Sequence, residues 1–127
     1  MTIASSAVLV AIKRPGEKLA LERFPVEPLA WSAMLDGLLG DMRAVMTLRS
    51  YYGDVGLRFM SALFRDDALE NSLPISTPHP GHPELYIRGP VVYAAMEEVQ
   101  DPATGELIGL RVDLNEDDIA VVQEMAG

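Results

Sequence analysis

The sequence predicts an α+β domain: a mainly antiparallel sheet built from hairpins, with two principal helices packed on one face. Three observations carry that expectation. Short segments of alternating apolar and polar residues recur, each ended by a tight-turn sequence. Two stretches carry the apolar spacing of an amphipathic helix. Their order, ββα, ββ, a proline-rich stretch, then ββα, places strands as neighbours in sequence and so favours antiparallel pairing.

The first element is Ser5 to Lys13, a Val- and Ile-rich run that ends at Arg14-Pro15-Gly16-Glu17. Proline then glycine at the two central positions is what a type II turn requires. Glu17 to Phe24 alternates, with Leu19 and Leu21 opposite Lys18 and Glu22, and so pairs back as a hairpin. Pro28 suits a first helical turn, and Trp31, Met34, Leu35, Leu38 and Leu39 then repeat at helical spacing until Gly40 stops the helix. Met42 to Arg49 alternates again, with Met42, Ala44, Met46 and Leu48 inward and Arg43, Val45, Thr47 and Arg49 outward. Tyr51 to Gly56 reads as a turn, and Leu57 to Phe64 as a strand that is apolar on both faces except at Arg58 and Ser61.

Asp66 to Asn71 has room for one helical turn. Proline is then so dense that Ser72 to Glu84 is expected to be an exposed Pro/His-rich loop, since each proline removes a backbone donor and fixes φ. Leu85 to Met96 follows as a strand whose Gly89-Pro90 step implies an edge position or a bulge, and Asp101 to Gly105 turns it back into Glu106 to Val112. Asn115 is a good helix cap, Glu116, Asp117 and Asp118 suit the positive first turn, and Ile119, Val122 and Ala126 share one face of the closing helix.

Length and composition bound the rest. A chain of 127 residues with 49% apolar and 23% charged residues fits one domain spanning 1–127, with a core of its own. Nineteen acidic against ten basic residues give a formal charge of -9, which opposes direct nucleic-acid binding. The absence of cysteine removes disulfides and thiolate chemistry, and fits a reducing compartment. The apolar run at the start precedes Lys13 and Arg14 instead of following basic residues, so neither a signal peptide nor a membrane anchor is expected, and the expected location is the cytoplasm.

Candidate chemistry is sparse. Asp113, Asn115, Asp117 and Glu124 fall at ligand positions of a calcium loop, but its sixth position holds Asp118 where glycine is needed, and a strand precedes it. His79 and His82 are the only histidines, and with Glu84 as the one nearby carboxylate they fall short of a metal set. No nucleophile elbow surrounds any serine, and no Lys-Ser or Lys-Thr pair follows Gly53 and Gly56. No cofactor and no metal is therefore expected. Two sets of residues are left. Arg49, Tyr51, Tyr52, Arg58, His79, His82, Tyr86 and Arg88 are candidates for holding a ligand or partner, because arginine forks and tyrosine faces suit phosphates and protein hot spots. Glu116, Asp117 and Asp118 form a candidate acidic surface.

The segments VLVAIKRPGEKLALERF, VEPLAWSAMLDGLLGD and IRGPVVYAAMEEVQDPATGELIGLRVDLNEDDIAVVQ together resemble the domain-of-unknown-function family numbered 3846, carried by bacteriophages, plasmids and other mobile elements. Arg14-Pro15-Gly16, Gly37 to Gly40, Gly89 to Tyr93, Gly105-Glu106, Gly109-Leu110 and Glu116 to Ile119 hold the places of that family's turns and acidic helix. Its usual Asn-Arg-x-Leu-Pro step appears here as Asn71-Ser72-Leu73-Pro74, one residue shorter and without the arginine. The resemblance implies a phage or mobile-element accessory protein and no established activity. The expected function is non-enzymatic: a counter-defence factor that engages a host protein in the host cytoplasm. The alternatives are a sponge for a small signalling nucleotide and an enzyme using His79 or His82. Self-association by sheet pairing stays open, through Met42 to Leu48 or the strand near Pro90.

Overall fold

The computed structural model describes residues 7–53 and 56–126. Its elements run β1 (Ala7–Lys13), β2 (Ala20–Pro25), α1 (Pro28–Leu39), β3 (Arg43–Tyr52), β4 (Leu57–Arg65), β5 (Ile75–Pro78), β6 (Tyr86–Arg88), β7 (Val91–Gln100), β8 (Leu107–Val112) and α2 (Glu116–Ala126). Six strands form one sheet in the order β2-β1-β7-β4-β3, with β8 also on β7, while β5 and β6 form a separate pair. Every pairing is antiparallel, so the α+β class and the antiparallel sheet are as the sequence predicts.

The first hairpin shows local sequence at work. Gly16 has φ 72° and the Glu17 amide donates to the Arg14 carbonyl at 3.2 Å, the closure a type II turn makes after Pro15. The helix cap is less expected. Glu27 caps α1, its carboxylate accepting from the amides of Leu29 and Ala30.

β7 is the central strand. β4 runs along one edge from Val91 to Glu98, and the other edge is divided between β1, opposite Val91 to Tyr93, and β8, opposite Ala95 to Gln100. The expected strand from Leu85 to Met96 is thus two strands, broken at Gly89-Pro90. Gly89 sits at φ 96°, a conformation that favours glycine, and Pro90 falls in the break, where its missing N–H costs the sheet no rung.

The two helices lie on opposite faces of the sheet, which corrects the expectation that both pack on one. Alternation along β7 sends Val92 and Ala94 toward α1, where they meet Val10, Ile12, Phe24, Trp31, Leu35 and Leu39. It sends Val91, Tyr93 and Ala95 the other way, to Met60, Ala62, Phe64, Ile87, Val122 and Ala126. The physical reason is that β7 and β4 are apolar on both faces and need cover on both; helical spacing identifies a buried stripe but not which face of the sheet receives it.

The stretch from Ser72 to Glu84 is also not simply an exposed loop. Ile75–Pro78 pairs with Tyr86–Arg88, and this hairpin covers the α2-side core with buried Thr77, His79 and Ile87. β3 likewise runs on through Tyr52, into what reads as a turn, and its register against β4 shifts between Thr47 and Arg49. That shift sets Arg49 opposite Met60 on the α2 face, not outward as the uninterrupted alternation implies. Met42, expected inward, precedes the strand and is exposed.

Candidate functional site

The polar centre of the molecule is Arg58, on the α2 face of β4. Its Nη1 donates to Glu97 Oε1 at 3.1 Å; its Nη2 donates to Asp118 Oδ2 and to the Asp113 carbonyl, both at 2.7 Å. The Asp118 side chain is 1% exposed and that of Arg58 9%. Burial acts to lower the Arg58 pKa, but the hydrogen bond and charge of Asp118, with Glu97 adding to them, outweigh it and hold the guanidinium above its ordinary value. Asp118 is held from its own helix as well. Its Oδ2 accepts from the Asn115 amide at 2.9 Å, and its amide donates to Asn115 Oδ1 at 2.8 Å, a reciprocal cap that fixes the start of α2 over the sheet.

Asp118 is therefore not part of an acidic surface, which corrects that expectation; Glu116 and Asp117 are exposed. Arg58 is likewise no free ligand-binding cation. An arginine inside a largely apolar strand is the sequence signal for such a pair, while Glu97 and the Asp113 carbonyl carry no signal of their own.

The other sequence-predicted site residues fall into two groups. Arg49 lies over the Tyr51 ring, 5.0 Å from its centroid, and the Tyr51 hydroxyl accepts from Asn115 Nδ2 at 3.0 Å, so these two sit beside the Arg58 cluster. Tyr52 alternates to the opposite face and is 84% exposed. His79, His82, Tyr86 and Arg88 belong to the β5–β6 hairpin, near the Phe64 end of β4. Six residues of strand separate Phe64 from Arg58, about 20 Å. Within that hairpin His79 is buried: its Nδ1 accepts from the amides of Gly81 and His82, and its ring meets Phe64 edge-on at 5.5 Å. It braces the turn. His82 is exposed and lies 3.5 Å from Glu84, Tyr86 is exposed, and Arg88 donates to the Leu73 carbonyl.

A groove of about 530 Å³ runs between the start of β1 and β8, with Val8, Val26, Gly109, Arg111 and Asp113 in its walls. Arg111 crosses it to lie 4.6 Å above the Trp31 ring and donates to the Val26 carbonyl at 3.3 Å. On the α1 face a smaller apolar depression, about 170 Å³, opens where α1 stops covering the sheet, lined by Trp31, Val45, Phe59, Leu63 and Met96.

Charge is distributed unevenly around these features. Residues 97–118 hold eight of the nineteen acidic residues and one of the ten basic ones, Arg111. Glu97 and Asp118 are spent on Arg58, and Asp113 accepts from the Leu9 amide at 2.6 Å and lies 3.5 Å from Arg23. Glu98, Glu106, Glu116 and Asp117 have no cationic partner among the described residues.

Among the described residues, no three of His, Asp and Glu converge as metal ligands, and no helix is long and apolar enough to cross a membrane. Comparison with family models, curated proteins and solved structures finds no match to this chain.

Proposed function

We propose that this chain is a binding protein that engages a host protein through its acidic C-terminal third, as a phage or mobile-element counter-defence factor. The observation that carries this reading is the concentration of unpaired carboxylates around the β7–β8 hairpin and the start of α2, at Glu98, Glu106, Glu116 and Asp117. Such a surface attracts a basic patch over several ångströms, speeds encounter and disfavours acidic partners. The reading as a nucleotide sponge is less well supported, because Arg58, one of the arginines it would draw on, is buried and already bound to two carboxylates and a carbonyl.

The test compares the immobilised chain with a triple variant, Glu106→Lys, Glu116→Lys and Asp117→Lys, in host lysate at rising salt. A host protein retained by the parent, lost from the variant and eluted progressively by salt supports the proposal. Equal retention by both, or retention indifferent to salt, overturns it.

A further inference from the structure

Among the described residues β2, β3 and β8 each have one side without a paired strand, and these borders are not alike. β2 carries Glu22 and Arg23, with Glu22 tied to Arg14. β3 is interrupted by its register shift and carries Arg43 and Arg49; the Met46 side chain, moreover, abuts the β5–β6 turn at Gly81. Charges, bulges and covering loops are how proteins blunt sheet edges against pairing. β8 has none of these. Its register on β7 is unbroken over six residues, it contains no proline and no acidic residue, and its one charge, Arg111, is folded back onto Trp31. Leu107, Ile108 and Leu110 are exposed, Leu107 at 70%, and the backbone groups on the outer side of β8 have no partner among the described residues.

We infer that the outer edge of β8 receives an extended segment of the partner as an added strand, with apolar side chains in its middle and basic residues at both ends. This rests on the acidic-surface reading above and names the partner chemistry of that surface. The argument for a basic segment is the placement of charge. Asp101 and Glu106 flank one end of β8, and Asp113, Glu116 and Asp117 follow the other. Six strand residues span about 20 Å, so carboxylates at the two ends meet cations some six residues apart on a paired strand. A second copy of this chain is the poorer occupant, because each β8 would bring the same acidic ends to the other. Main-chain hydrogen bonds supply the affinity in such a pairing, and the exposed leucines and isoleucine supply contacts to alternate side chains.

The test uses the whole chain and three synthetic peptides with a Val-Thr alternating centre: one flanked by lysines, one flanked by glutamates, and one lysine-flanked with alternate amides N-methylated. Binding is read by fluorescence anisotropy at two salt concentrations, and the contact surface by amide hydrogen exchange. The lysine-flanked peptide is expected to bind at least about tenfold tighter than either control, to weaken with salt, and to slow exchange along Leu107–Val112. Leu110→Lys should remove this binding, and Leu107→Lys, at the exposed strand end, provides the same test should the first variant fail to fold. Binding equal to that of the glutamate-flanked peptide, protection at β3 instead of β8, or protection of β8 by the chain's own concentration would each overturn the inference. Host-protein capture that survives Leu110→Lys but is lost in the triple acidic variant would sink the strand edge while leaving the proposed function standing.

Discussion

Replacing Arg58 by methionine keeps the length of the side chain and removes its charge, and the cost follows from what remains. Asp118 stays in place with its carboxylate buried; among the described residues Arg58 is the one cation within ion-pair distance of it. Breaking a buried pair from one side costs about 3–5 kcal/mol, because the surviving charge is left uncompensated. That is a large share of the roughly 5–15 kcal/mol that holds a small domain together. Asp118→Asn should cost less, since Glu97 still faces the guanidinium and asparagine can still accept the Asn115 amide. The double variant Arg58→Met/Asp118→Leu should fall well short of the sum of the two single changes, because it removes both charges together. Urea denaturation followed by circular dichroism gives all four corners of the cycle. Costs below about 1 kcal/mol for Arg58→Met, or strictly additive single changes, would show that Arg58 and Asp118 are not a coupled buried pair.

Tyr93 is fully buried with its hydroxyl lacking a hydrogen bond, and burial pushes its pKa from 10.0 up to about 12, with neighbouring Thr77 opposing the shift. Its raised pKa means that stability is intact below pH 10 and lost between there and pH 12. Tyr93→Phe should then equal or exceed the parent at pH 7 and spare about 2–3 kcal/mol of alkaline loss, read as the difference between the two unfolding curves. Gly56→Ala would drive a Cβ to 1.9 Å from the Glu98 carbonyl oxygen, so it should destabilise by several kcal/mol and loosen exchange protection where β4 meets β7. His79→Ala should cost about 1–3 kcal/mol in melting experiments because the Gly81 amide loses its acceptor and the His82 amide keeps only the carbonyl of residue 79, whereas His82→Ala should stay within about 0.5 kcal/mol. Equal costs at the two histidines would refute the bracing role.

Much of the fold was legible because its signals are local. Pro15-Gly16 demands its turn, Trp31, Leu35 and Leu39 mark one helical stripe, and Asn115 with three acids behind it marks the start of a helix, whatever the rest of the chain does. The proline-rich stretch was harder. Proline density argues against strand, yet here Pro74 and Pro83 sit outside β5 and β6 and Pro78 ends β5, so a short edge pairing survives between them. The site was legible in part. Arg58 stands out on an apolar strand, but the sequence holds nineteen carboxylates and does not say which two it meets, since Glu97 and Asp118 lie 39 and 60 residues away.

By itself the sequence determined the class of the domain, the position of most of its strands and helices, and the acidity of its last third, because each depends on neighbours within a few residues. Tertiary structure alone decided that the helices take opposite faces, that Asp118 leaves the surface to neutralise Arg58, and that among the described strands β8 pairs with β7 alone. Those outcomes depend on which strand lies beside β7, a choice made by the balance of burial over the whole sheet and written in no single segment.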